Sequence, residues 1–382
     1  MQLSTLPVLL FVLTLALTDL VCSDLYGKKS VSAGMTVSVK DHPWYDQRHH
    51  RGSRGFQNVW GDAREVPPLK AVKWMLTHSF IDKVNVPAPV IEPAMDELRT
   101  VPGRLRLTWL GHSTVLVQTP ELTLLTDPMF SERASPFSFA GPDRKAALPL
   151  DPHELPRIDV VLISHDHYDH LDKQSIRLLE EDHAPLFVVP LGVGDIIRDV
   201  GGRRVVELDW WQYVDVQGLR FHCTPAKHFS GRGIFGRDGT LWASWYVESL
   251  ERDLRLYYGG DTGYASHFTE IRERLGAPEV ALLPIGAYEP RWFMEAVHVN
   301  PEEAVQAFQD LGADYLIPVH WGTFDMADEP IQQPAEEVRR FAQDAGITEK
   351  LHVLDIGGSF WPADTKPIPA PSNEAGTKSH PE

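Results

Sequence analysis

Val160-Val161-Leu162-Ile163-Ser164-His165-Asp166-His167-Tyr168-Asp169-His170 is the stretch whose reading decides the fold. Its apolar, largely β-branched opening predicts a strand buried on both faces, as in the interior of a mainly parallel sheet. Directly behind it stand His165, His167, Asp169 and His170, side chains that can hold a metal. Alternate histidines on an extended turn point the same way. The Asp and His that follow reach a second position as the chain enters the helix read from Leu171 to Glu181. A solvated His/Asp-rich loop would need no all-apolar strand ahead of it.

Three further strands run up to a potential ligand. Phe221 to Pro225 leads to His228, Leu256-Tyr257-Tyr258-Gly259-Gly260 to Asp261, and Leu316-Ile317-Pro318-Val319 to His320. Ends of buried strands are where a rigid scaffold can preorganise a site. Mixed nitrogen and oxygen donors suit zinc, with manganese or iron as alternatives. Two such ions, about 3.5–4 Å apart, can share a water-derived nucleophile and clamp a phosphoryl group. Where carboxylates are few among the donors, positive charge is left over and favours an anionic substrate. A carboxylate tied to a metal is a poor free base, so the shared water is read as the nucleophile. A closed structural site needs only four ligands, which argues against a non-catalytic metal-binding protein. The two cysteines, Cys22 and Cys223, are too few for a zinc ribbon or a disulfide framework.

Around this centre the chain alternates strands and helices. Strands are read at 105–109, 114–118, 122–125, 186–189, 205–208, 219–223, 241–247, 254–258, 280–284 and 315–318. Helices are read at 193–200, 302–311 and 335–345, with Asn300 as cap and Pro301 in the first turn of the second of these. Residues 131–156 read as a long surface loop. Two strand-rich halves with helices outside give an α/β class protein, an αββα sandwich over 96–363. Residues 24–95 read as an extended arm, a helix at Leu69–Phe80 and a Pro-rich linker at 87–93. The tail 364–382 is expected to be disordered.

The ligand pattern, His-x-His-x-Asp-His followed by His, Asp and His at strand ends, resembles the metallo-β-lactamase superfamily. That resemblance implies one metal on His165, His167 and His228, a second on Asp169, His170 and His320, and Asp261 bridging them. Longer strings narrow the branch: Trp109-Leu110-Gly111-His112-Ser113-Thr114, Thr126 to Pro136, Thr224 to Gly233, and Pro284 to Met294. They are similar to the N-acylphosphatidylethanolamine-hydrolysing phospholipase D family, over about residues 45–362. The resemblance implies a zinc phosphodiesterase of lipid metabolism, with Asp169, Asp261 and His298 at the chemistry and Tyr288, Arg291 and His298 against the substrate. His112 and Asp127 are read as orienting the metal-binding side chains. Trp210, Trp211, Trp292, Phe293, Trp321 and Phe324 are candidates for an apolar approach to the metals. The competing expectation is a soluble sugar-phosphate lactonase favouring manganese.

The net charge of −17, with no dense Lys/Arg run, excludes general nucleic-acid binding. It also speaks against a polybasic membrane anchor, leaving peripheral contact for a phospholipid substrate. Residues 1–23 read as a signal peptide cleaved after Ser23, which would make the protein exported. A start at Met35 is the alternative and would leave it cytoplasmic. The sequence carries no signal for an oligomeric state.

Overall fold

The computed structural model describes residues 38–61, 74, 83–233 and 236–362. Two seven-stranded sheets face one another. One runs β1 (Lys40–Asp41), β8 (Gln212–Val216), β9 (Leu219–Thr224), β10 (Ser244–Ser249), β11 (Arg255–Tyr258), β12 (Val280–Pro284), β13 (Tyr315–Val319). The other runs β14 (Ser359–Phe360), β2 (Arg106–Gly111), β3 (Thr114–Gln118), β4 (Thr123–Thr126), β5 (Val160–Leu162), β6 (Leu186–Pro190), β7 (Arg204–Leu208). The pairs β4·β5, β5·β6 and β6·β7 are parallel, as are β11·β12 and β12·β13. Strands β5, β11 and β13, which end in sequence-read ligands, lie in these parallel parts, whereas β9, which leads to His228, is antiparallel to both of its neighbours.

The period of two along β5 builds the layers. Val160 and Leu162 join the core between the sheets, with Phe221, Trp245 and Leu282. Val161 and Ile163 face the opposite way, under Leu171 and under Ile176, Leu179 and Ile197 of the covering helices Lys173–Asp182 and Val193–Asp199. β6 repeats this, with Leu186 and Val188 inward and Phe187 and Val189 under the helices. Val161, Ile163 and Phe187 are fully buried, each contributing about 1.5–3 kcal/mol relative to exposure. Helices Pro301–Leu311 and Gln333–Asp344 close the other face, giving the αββα sandwich.

Asn300 and Pro301 act as the sequence analysis reads them, and further local signals join them. Asn300 and Glu303 form a reciprocal capping box, Pro301 occupies the first turn, and Gly312 at φ +67° ends the helix. Asp172 caps Lys173–Asp182 by accepting from the Gln174 and Ser175 backbone N–H groups. Strands β1, β8 and β14 were not expected, nor were helix His267–Leu275 and the short helices Met95–Leu98 and Arg291–Met294. The strand read at 241–247 lies at Ser244–Ser249 instead.

Segment 131–156 is a surface loop, strapped down at several points. Arg144 donates to the Ser131 and Met129 carbonyls and lies 5.0 Å over the Phe324 ring, and Ala134 and Ala146 are buried. The described part of the arm is likewise built in, since β1 pairs antiparallel with β8. Tyr45, His49 and His50 all donate to the buried Asp209 carboxylate. The helix read at Leu69–Phe80, Trp74 excepted, lies outside the described residues, as do the leader, Met35 and the tail. Among the described residues, no helix is long and apolar enough to cross a membrane. Cys223 is buried as a free thiol.

Candidate metal centre

The chain enters the site at the C-terminal end of β5. His165 and His170 are packed against one buried carboxylate, Asp127, from the end of β4. His170 Nδ1 donates to Asp127 Oδ2 at 2.6 Å. His165 Nδ1 lies 2.9 Å from the Ser164 hydroxyl, which itself donates to Asp127, as do the Ser164 backbone N–H and the Tyr258 hydroxyl. His228 Nδ1 donates to the Val297 carbonyl at 2.9 Å. In each ring the outer nitrogen is held by a protein acceptor, so the inner Nε2 presents its lone pair to the site.

The inner atoms converge in two adjoining groups. His165 Nε2 and His228 Nε2 lie 2.8 Å and 3.2 Å from His167 Nδ1. Asp169 Oδ2 lies 3.0, 3.1 and 3.3 Å from Nε2 of His112, His170 and His320. Asp261 sits between the groups. Its Oδ2 is 3.2 Å from His170 and 3.8 and 4.0 Å from His228 and His165, while Oδ1 is 3.3 Å from His320. Facing lone pairs at such separations repel unless a proton or a metal cation lies among them. The buried His170 Nε2 and Asp261 Oδ1 also lack a hydrogen-bond partner among the described residues. This donor set fits two divalent cations. The separate cluster of His49, His50 and Asp209 contrasts with it. There the nitrogen–oxygen separations are 2.6 and 2.7 Å, and each imidazole donates to the carboxylate.

Electrostatics divide the histidines. Burial, aided by neighbouring imidazoles, holds His165 well below its ordinary value. Burial also brings His167 to about 4 and His228 and His298 to about 3. Burial opposes charge on His320 too, but the Asp261 and Asp169 carboxylates outweigh it and raise His320 to about 9. His170 is raised well above its ordinary value for the same reason. Against the cost of burial, His170 holds Asp169 and Asp261 well below the usual carboxylate range. The backbone is strained at the same place: His112, Asp127, Ala287 and His320 all have φ between +32° and +60°. Gly260, before Asp261, has φ +57°, and a Cβ there would lie 2.6 Å from the Ser164 Cβ.

A cavity of about 310 Å³ opens onto this centre. Asp169, Asp261, His167 and His298 line its base, and Phe229, Phe293, Met294, Val297 and Met326 line its walls.

Residues 123–321 match the beta-lactamase superfamily domain. The chain belongs to the metallo-β-lactamase superfamily. Among its relatives is an uncharacterised protein of Mycobacterium tuberculosis, 42% identical over 287 residues, which are 73% of this chain and 75% of that one. The N-acyl-phosphatidylethanolamine-hydrolyzing phospholipase D 1 of Caenorhabditis elegans is 38% identical over 291 residues, 73% of this chain and 81% of that one. The solved structure of an isothiocyanate hydrolase from Delia radicum gut bacteria shares the fold with a TM-score of 0.56 at 21% identity, covering 67% of this chain and 98% of that one. The protein is a metal-dependent hydrolase of that superfamily.

Other residues singled out in the sequence take different places. The Tyr288 hydroxyl donates to Glu337, and the ring does not line the cavity. The Arg291 guanidinium is paired with Glu303 at 2.8 Å and donates to the His298 carbonyl at 3.1 Å, so it braces His298 from behind. Neither faces the cavity, because an acidic partner on a covering helix claims each one. His298 does line it, with Nδ1 3.9 Å from Asp261 Oδ2 and no hydrogen-bond partner among the described residues. Of the candidate aromatics, Phe293 alone is in the wall. Trp210 and Trp211 are core, and the Trp210 indole donates to the Trp242 carbonyl. Trp321 stacks on Trp109 with centroids 5.1 Å apart, and Phe324 packs edge-on to His112. Sequence reasoning missed Tyr258 and Ser164, although each lies within three residues of a ligand, and it missed Arg237 altogether.

Proposed function

We propose that the protein is a two-zinc phosphodiesterase that hydrolyses N-acylphosphatidylethanolamine to phosphatidic acid and an N-acylethanolamine. The observation that carries this reading is the cavity, a cation-competent base beneath apolar walls. Such a shape suits an amphiphile whose charged link lies deep while its chains run outward. At about 310 Å³ it is at the small end of ligand sites, about 300–1,000 Å³. The head group and phosphate enter, and most of each chain stays in the micelle or bilayer, which calls for peripheral membrane contact. The kinship with the Caenorhabditis elegans phospholipase D supports the same substrate class.

In this reading His165, His167 and His228 would hold one ion, Asp169, His170 and His320 the other, and Asp261 both. Bound there, the ions would supply Lewis acidity and lower the pKa of water in the site toward neutrality. Asp169 and Asp261 cancel part of the cationic charge and leave attraction for a phosphodiester anion. The water oxygen forms its bond to phosphorus, and the bond from phosphorus to the ethanolamide oxygen breaks. That oxygen leaves as an alcohol, its proton coming from the water. His298, kept neutral by burial, donates a hydrogen bond to a phosphate oxygen or the leaving oxygen. Hydrolysis in oxygen-labelled water should place the label in phosphatidic acid. Label in the ethanolamide would mean attack at carbon. No turnover of the lipid in mixed micelles, with brisk opening of a sugar-phosphate lactone, would transfer the case to a lactonase.

A further inference from the structure

We propose that Arg237 is the specificity-determining cation of the cavity and binds the anionic phosphodiester as it enters. The inference rests on the phosphodiesterase reading. Among the described residues lining the cavity, Arg237 is the one Arg or Lys. Its guanidinium lies 4.1 Å over the Phe229 ring, and that ring packs edge-on against His167 with centroids 4.5 Å apart. One aromatic ring thus separates the cation from the candidate metal-binding side chains. The only described ion pair of Arg237 is a 3.8 Å approach of Nε to Asp238, longer than a hydrogen bond, and half of its side chain is exposed. Its planar fork therefore keeps donors for a ligand, and a fork matches two phosphate oxygens better than an ammonium does.

The backbone beneath Arg237 is fixed from two sides. The Asp238 N–H donates to the Ser230 carbonyl at 3.0 Å, and the Asp238 carbonyl accepts from Phe56 N–H of the arm at 2.8 Å. Gly55 passes so close that a Cβ would lie 1.9 Å from that carbonyl oxygen. The arm, which supplies no candidate ligand, thereby sets the root of the arginine. Stacking on Phe229 restrains the tip, so little order remains to be gained on binding.

The test measures N-acylphosphatidylethanolamine hydrolysis in mixed micelles, and dihexanoyl phosphatidic acid binding to the zinc-loaded protein, for wild type, Arg237→Gln and Arg237→Lys. Loss of a charge-assisted contact, discounted for half exposure, should raise KM and weaken product binding by roughly tenfold in Arg237→Gln. The effect should fall on KM more than on kcat, with metal content unchanged. Arg237→Lys should recover part of the loss, and raising the salt should narrow its difference from Arg237→Gln. Wild-type KM and product affinity in Arg237→Gln, or a loss confined to kcat, would overturn the assignment while leaving the phosphodiesterase reading intact. A wild-type protein that hydrolyses no phosphodiester would instead remove the reading on which the inference stands.

Discussion

Replacing Asp127 by Asn tests whether a residue that need not touch the metals governs their affinity. Four donors converge on this buried carboxylate. The Ser164 backbone N–H reaches Oδ1, and the Ser164 hydroxyl, His170 Nδ1 and Tyr258 hydroxyl reach Oδ2. An Asn side chain satisfies most of them with its carbonyl in the Oδ2 place, which sets its NH₂ against the Ser164 N–H. One hydrogen bond is lost, a buried donor is stranded at about 1–3 kcal/mol, and His170 loses a charged partner. The fold should lose about 2–4 kcal/mol and survive, since domains of this kind have about 5–15 kcal/mol. His170 then keeps only a neutral acceptor and is held less firmly, and the ion held with Asp169 and His320 should bind about 10–100-fold more weakly. Chelator competition, read by elemental analysis at rising chelator, should remove one ion per chain well before the other. Activity should return with excess zinc. Simultaneous release of both ions at the wild-type chelator concentration would refute the reasoning, because the loss would then not pass through His170.

Three further outcomes follow from the same geometry. Asp261→Asn should lower metal content at both positions and cost more turnover than His228→Ala or His320→Ala, each of which should remove one ion; two retained ions and near-normal rates would show that Asp261 is not shared. In the metal-free protein His320, raised to about 9, and His170, also raised, are protonated at pH 7.5, whereas His165, His167 and His228 are not. Loading should therefore release protons from His170 and His320, visible by calorimetry in buffers of different ionisation enthalpy, with affinity climbing toward pH 9. The charged His320 stabilises the metal-free fold fully below its unfolded value near 6.5 and loses that contribution through about 9, so the melting temperature of the stripped protein should fall over that range. Arg291→Gln breaks the pair with Glu303 and the bond to the His298 carbonyl. It should lower kcat several-fold through His298 while KM changes little; a KM effect alone would put Arg291 on the substrate instead.

The sequence by itself determined the layers and named the candidate donors. Alternation along Val160–Ile163 assigns one face to the inter-sheet core and the other to the helices, because a period of two is a property of the strand alone. His165, His167, Asp169 and His170 are near neighbours in the chain, so local geometry delivers them together, and His228, Asp261 and His320 were legible because each follows a strand. The capping residues Asn300 and Pro301 were legible for the same reason. Tertiary structure decided which nitrogen of each imidazole faces inward, through partners as remote in sequence as Asp127 and Val297. It also turned Tyr288 and Arg291 away from the cavity, toward Glu337 and Glu303, although both lie in the same segment as Phe293. It set Trp210 and Trp211 in the core and Arg237 at the cavity, its root tied to the arm through Phe56. Competition among buried acceptors for a limited number of donors is settled only when distant segments meet, and a one-dimensional pattern carries no record of that meeting.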